Sequence, residues 1–223
     1  MKNFQRICIG IIAVLGLFSS MYNLASAAVF YYDSNGRLTQ KSEVTGETVR
    51  YVYDQNGNLV SKNAGESYFE SATAFSSKQG EYNWYYQLWN GTRYEDMTWD
   101  AAESRWKGNR DWDIISKDWL HPDGNDAALK WVAPQTGSIR ITGKIAKHPV
   151  NLQGDGVRVK IMKNNTQVWP STGWKTIQGD DAIGLNVLVN INVTLGDSIY
   201  FIVNQNSDYG YDGTVCNPEI TYK

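Results

Sequence analysis

Trp84-Tyr85-Tyr86-Gln87-Leu88-Trp89-Asn90-Gly91-Thr92-Arg93-Tyr94-Glu95-Asp96-Met97-Thr98-Trp99 is the stretch that sets the fold class of this chain. Its aromatic-rich flanks are strand formers. Asn90-Gly91 between them supplies the positive φ angles of a tight hairpin turn. The reading is a hairpin of residues 84–89 and 92–99 across a two-residue turn. Side chains alternate across a strand, so Trp84, Tyr86, Leu88, Met97 and Trp99 share one face, with Arg93 and Glu95 near its turn end. That face reads as core. The other carries Tyr85, Gln87, Trp89, Thr92, Tyr94 and Asp96, rings mixed with polar groups.

Strand signals continue towards the C-terminus. Ile139, Ile141 and Ile145 alternate, as do Val157, Val159 and Ile161, and Val187, Val189, Ile191 and Val193. Further strands are predicted at 112–116, 129–133, 168–169, 198–204 and 219–222. Turn residues such as Asn164-Asn165 and Gly196-Asp197 separate them. No segment carries a 3.6-residue apolar period of helix length. About nine or ten strands in this stretch predict an all-β fold, an antiparallel β-sandwich of jelly-roll-like type.

The N-terminus has a different texture. Lys2 and Arg6 precede an apolar run at 7–18, and Ala25-Ser26-Ala27 is a small-x-small cleavage pattern. This reads as a secretory signal peptide over 1–27, too short in its core to span a membrane. Cleavage would leave a net charge of −4 and one cysteine, Cys216, hence no internal disulfide. The product is expected outside the cytoplasm, secreted or associated with the cell wall.

Residues 28–62 hold a repeat with a 21-residue period. Tyr32, Asp33, Asn35, Gly36, Leu38 and Lys41 recur as Tyr53, Asp54, Asn56, Gly57, Leu59 and Lys62. Each unit reads as strand, turn, strand, so two β-hairpin repeats precede the sandwich. Ser61 to Ser67 is polar, and a linker is predicted at 63–67, leaving 68–223 as the main domain. The two units resemble the tyrosine–aspartate (YD) repeats of Rhs-type wall-associated and toxin-delivery proteins. Those proteins stack many such repeats into a β shell, whereas two units form a short spacer.

Composition narrows the function. Lysine plus arginine number 21 and aspartate plus glutamate 23, without the clustered basic excess of a general nucleic-acid binder. Two cysteines and two histidines exclude dense zinc sites. Motifs for a nucleophile elbow, a zincin helix or a P-loop are missing. His121 and His148 each precede a proline and read as loop braces. The chain is therefore read as a non-enzyme. Nine tryptophans and fourteen tyrosines offer another task, because indole and phenol rings cover the C–H faces of sugars while nearby polar groups bond the hydroxyls. The candidate ligand-binding residues are Trp89, Tyr94, Trp119, Trp169, Trp174 and Tyr209. Asp208 and Asp212 are the candidate ligands of a structural calcium ion, in a loop lacking the glutamate of a calcium loop's twelfth position, where Asn217 stands.

Glu81 to Tyr86, Asp96 to Asp100, Lys130 to Pro134, Gly154 to Val157 and Gly196 to Phe201 resemble the accessory carbohydrate-binding modules of secreted bacterial polysaccharide-degrading enzymes. The resemblance implies a β-sandwich that docks on polysaccharide or cell-wall glycan, and names no binding residue. The competing reading is a truncated Rhs-like surface protein whose β domain mediates protein–protein interaction.

Overall fold

A computed structural model describes residues 28–33, 35–43, 48–65 and 68–223. The signal-peptide reading of 1–27 lies outside these residues. The first four strands, β1 (Ala28–Tyr32), β2 (Leu38–Glu43), β3 (Thr48–Tyr53) and β4 (Leu59–Gly65), form one antiparallel sheet in sequence order. The two repeats close their turns identically. Asp33 Oδ1 accepts the amides of Asn35 and Arg37, both at 2.9 Å. Asp54 Oδ1 accepts those of Asn56 and Asn58 at 2.9 and 2.8 Å. Gly36 and Gly57 follow at φ 77° and 87°, where a side chain would be strained. The recurrent aspartate and glycine are thus the turn itself. The backbone amide of Arg37 on Asp33, and the Asn58 side chain on Asp54, lead in holding each carboxyl below its usual range. Asp54→Ala is expected to speed amide hydrogen exchange at Asn56 and Asn58, with little change beyond residue 68. Unaltered exchange there would remove the turn-closing role.

β4 runs to Gly65, paired with Thr48, so residues 63–65 of the expected linker are strand. Backbone pairing needs no apolar side chain, and the polar composition concealed it.

The remaining strands are β5 (Tyr68–Glu70), β6 (Trp84–Trp89), β7 (Tyr94–Asp96), β8 (Thr98–Asp100), β9 (Arg105–Lys107), β10 (Ile114–Ile115), β11 (Leu120–His121) and β12 (Asp126–Val132). They are followed by β13 (Gly137–Lys147), β14 (Val157–Lys163), β15 (Thr166–Trp169), β16 (Lys175–Ile177), β17 (Leu185–Val193), β18 (Ser198–Asn204), β19 (Thr214–Cys216) and β20 (Glu219–Tyr222). Two antiparallel sheets result. One has nine strands in the order β5-β20-β13-β19-β11-β10-β9-β8, with β17 on the free side of β13. The other has seven in the order β15-β14-β18-β12-β6-β7, with β16 beside β14. The β-sandwich read from the sequence is therefore present.

The core lies between these sheets. Trp84, Tyr86, Leu88, Leu129, Trp131 and Phe201 are buried from the seven-stranded side, and Ile139, Ile141, Val187, Val189 and Ile220 from the nine-stranded side. The first hairpin departs from expectation in one respect. Trp89 pairs with Tyr94, and Gln87 with Asp96, so four residues rather than two form the loop. The cause is Asn90, whose Oδ1 accepts the amides of Thr92 and Arg93 at 2.9 and 3.0 Å. A register slip of two residues preserves the faces, whereas a slip of one would have exchanged them. The second arm also splits at buried Met97, where the chain leaves β7 and enters β8 of the other sheet.

Candidate functional site

Alternation leaves one set of side chains of the seven-stranded sheet pointing away from the core. Gln87, Ala128, Ile202 and Lys160 face one another across β6, β12, β18 and β14. Tyr85, Lys130, Tyr200 and Met162 form the neighbouring row. Trp89 lies beside Asp126, and Arg158 beside Asn204.

Aromatic rings roof this outer face. Trp89 and Tyr94 meet with ring centroids 4.9 Å apart. Tyr94 then stacks on Tyr200 at 4.2 Å and 17°. Two strands separate these tyrosines in the sheet, so their rings reach across β6 and β12. Ala128 and Ile202 are accordingly buried at 0% and 2% exposure although they point outward. Burial pushes the phenols of Tyr94 and Tyr200 above the ordinary tyrosine range. On β14 the indole of Trp174 covers the Lys160 ammonium at 4.1 Å and the Arg158 guanidinium at 5.5 Å. The 170–174 loop is pinned by Gln167, whose Nε2 donates to the carbonyls of Pro170 and Gly173 at 2.7 and 2.8 Å. Lys130 Nζ sits 4.8 Å from the Tyr85 ring and 5.7 Å from that of Tyr200.

Amides hold the two carboxylates of this face. Gln87 Nε2 donates to Asp96 at 2.6 Å. Asn204 Nδ2 donates to Asp126 at 2.5 Å, while its Oδ1 accepts Arg158 Nε and Nη2 at 3.1 and 2.8 Å. Burial raises the Asp126 carboxyl, opposed by the Asn204 hydrogen bond and the charges of Lys160 and Arg158. The face therefore combines half-buried rings, amides and cations, a composition suited to ligand contact without covalent chemistry.

Of the rings singled out from the sequence, the structure brings Trp89, Tyr94 and Trp174 onto this face and leaves the others elsewhere. Trp169 pairs with Ile161 and packs against the core from β15. Trp119 lines a small recess with Ser71, Phe75, Ile115 and Leu120, between the strand ends of the nine-stranded sheet and the core. Tyr209 is 45% exposed in the loop between β18 and β19. Sequence reasoning put Tyr85 on this face without naming it a candidate, and missed Lys130, Arg158, Lys160 and Tyr200. Their signal was available in the outward positions of β12, β14 and β18, which alternate with Leu129, Val159 and Phe201. It also missed Trp112, 50% exposed and lying on the His121 ring at 5.4 Å. His121, expected as a loop brace, is buried at the end of β11, and its Nδ1 lies 2.9 Å from the Pro122 carbonyl. Burial holds its imidazole below the usual range.

Asp208 and Asp212 lie in the β18–β19 loop, where Asp155 joins them. Asp155 Oδ2 accepts the amides of Ser207 and Asp208 at 2.9 and 3.3 Å. Asp212 is fully buried, and its Oδ1 accepts Lys147 Nζ at 3.0 Å. Asp208 Oδ1 accepts the Gly210 amide at 2.6 Å. The cation that the structure places on Asp212 is thus the lysine ammonium. Among the described residues no three His, Cys, Asp or Glu side chains converge as metal ligands. The pair fits calcium poorly, because Asp212 already spends one oxygen on an ammonium. Burial pushes the Asp212 carboxyl up to about 7 against the pull of Lys147, with Asp155 and Asp208 adding repulsion. Gly213 closes this region, since a Cβ there would stand 2.0 Å from the His148 carbonyl oxygen.

Residues 32–66 match the RHS repeat family. No curated protein matches the chain. Several solved structures resemble it at low identity. A family 35 carbohydrate binding module from Clostridium thermocellum is 14% identical, covering 44% of this chain and 72% of that one, with a TM-score of 0.29. A CBM51 from Clostridium perfringens GH95, in complex with methyl-galactose, is 11% identical and covers 77% of this chain and 99% of that one, with a TM-score of 0.34. Rabbit GITRL is 16% identical and covers 62% of this chain and 93% of that one, with a TM-score of 0.29. A functional reading therefore rests on the outer face itself.

Proposed function

We propose that this is a secreted, non-catalytic carbohydrate-binding protein that docks on polysaccharide or cell-wall glycan through the outer face of its seven-stranded sheet. The observation that carries the reading is the grouping of Trp89, Tyr94, Tyr200 and Trp174 on one solvent-side surface with the amides of Gln87 and Asn204. Secretion is supported by the basic, apolar and Ala-Ser-Ala succession of residues 1–27. No helix among the described residues is long and apolar enough to cross a membrane. The carboxylates of the face hold amides, which supports binding over acid–base work.

The protein-docking alternative calls for a flat aliphatic patch. On β17, which has β13 on one side only, the exposed positions are Asn186, Leu188, Asn190 and Asn192, a single aliphatic residue among three amides. β17 thus offers no flat aliphatic patch of its own.

The test is a glycan array followed by calorimetry with Trp174→Ala and Trp89→Ala. Each substitution is expected to weaken binding by about 1–3 kcal/mol, roughly tenfold to a hundredfold. Circular dichroism should stay that of the parent, since neither ring belongs to the core. A protein that binds no saccharide would retire the reading.

A further inference from the structure

Three cations occupy the middle of the outer face, on two strands that flank β18. Lys130 is on β12, and Arg158 and Lys160 are on β14, with Tyr200 of β18 between them. None has a carboxylate within ion-pair distance among the described residues. Lys130 rests on the rings of Tyr85 and Tyr200, Lys160 rests on Trp174, and Arg158 bonds the neutral amide of Asn204. Elsewhere in the sandwich cations do find carboxylates, as in Lys147–Asp212, Lys163–Asp197 and Arg105–Asp100. Cross-strand neighbours of opposite charge are the ordinary way to settle a lysine on a sheet. Here aromatic faces make the direct contacts, while Asp126, held by the Asn204 amide, acts on Lys160 and Arg158 only from beyond ion-pair distance. A ring contacts one side of an ammonium and leaves its remaining N–H groups free for an incoming acceptor. It also restrains a flexible stem, which lowers the ordering cost of binding.

From this we infer that the glycan recognised by the outer face is anionic, with carboxylate, sulfate or phosphate groups received by Lys130 and Lys160 and sugar rings received by Trp174 and the Trp89–Tyr94–Tyr200 run. The inference rests on the glycan-binding reading above and adds charge to it. Both lysines are half-buried, so an anion bound there is partly shielded from salt and contributes more than at an open surface. The simpler role for these stems, covering ring surface while the head stays in water, predicts no preference for charge.

The experiment uses the chain from Ala28 on an array of neutral, uronate, sulfated and phosphorylated saccharides. Calorimetry then compares polygalacturonate with its methyl ester, which has the same backbone without the charge. Array hits are expected on the charged saccharides. Where polygalacturonate binds, it should do so about tenfold or more tighter than the ester, with affinity falling as salt rises from about 0.05 to 0.5 M. Lys130→Met and Lys160→Met keep the stem packing and remove the charge. Each is expected to cost about tenfold towards the anionic ligand, the worth of one charge-assisted hydrogen bond. Lys144→Met, an exposed lysine on β13 of the other sheet, is the control and should change nothing. Hits on neutral saccharides that survive both lysine substitutions would leave glycan binding standing and overturn its anionic character. An array without any hit overturns both. A single-stranded oligonucleotide that binds tighter than every saccharide would assign the face to nucleic acid and overturn the proposal.

Discussion

Lys147→Met is expected to destabilise the protein by about 3–5 kcal/mol at pH 8, and by far less at pH 5. The side chains of Lys147 and Asp212 are both at 0% exposure and meet at 3.0 Å. Breaking such a pair strands a charge where water cannot reach it. Asp212 has no reserve, because its Oδ2 is buried without a hydrogen-bond partner among the described residues. The pH dependence follows from the carboxyl being pushed up to about 7 in the fold, from an ordinary 3.8. The folded state therefore favours the protonated acid. Stability from this group is full below about pH 4 and is lost as pH climbs towards 7, where the fold must accept an anion. At pH 5 parent and variant alike hold the neutral acid, and methionine there is neutral or favourable. At pH 8 the parent carries a compensated ion pair, whereas the variant, its carboxyl pushed higher still without Lys147, must either bury a bare carboxylate or hold a proton that the unfolded chain would release. Thermal unfolding at the two pH values checks this, with a fall in Tm of roughly 10 °C at pH 8 for a chain of this size. Equal losses at both values would refute the argument. Lys147→Met combined with Asp212→Leu should recover most of the stability, since an apolar pair of similar volume replaces the ions.

Trp131→Ala is expected to cost about 3–5 kcal/mol at any pH in the neutral range. The indole is at 0% exposure, opposite Trp84 and Ile199 on the flanking strands. It meets the Phe69 ring at 5.1 Å and the Tyr222 ring at 6.1 Å. Those rings belong to β5 and β20 of the other sheet, so Trp131 joins the two layers. Its removal leaves a cavity bounded by strands that backbone ladders hold in place, which limits collapse. The urea midpoint should shift with little change in slope. A loss below about 1 kcal/mol would mean the layers close without this ring. The contrast with Trp174→Ala, expected to spare stability and reduce binding, separates packing tryptophans from those of the outer face.

The two tryptophans belong to one composition that sequence reading could only partly divide. Alternation placed Trp84 inward and Trp89 outward on the same strand, and the structure agrees. Strands β18 and β20 stand at the residues expected from their pattern. The five strands that the pattern did not show, β5, β9, β11, β16 and β19, have two or three residues each and are too short to show a period. Trp169, a candidate binding ring at the end of an expected strand, lies opposite Ile161, whose direction towards the core it shares. Asp212, a candidate calcium ligand by its loop, is set by the fold against Lys147, 65 residues earlier in the chain.

The amino-acid order alone settled the all-β class, the inward and outward sets of each long strand, and the Asp–x–Asn–Gly turns of the repeats. Those properties depend on neighbours within a few positions. Which outward residues share a surface is a matter of strand order. Tyr94 meets Tyr200, and Lys160 meets Trp174, because β14, β18, β12, β6 and β7 lie side by side. Alternation has the same period in every strand and carries no record of which strand lies next to which. Tertiary structure decided that, by the packing of the two layers around Trp84 and Trp131.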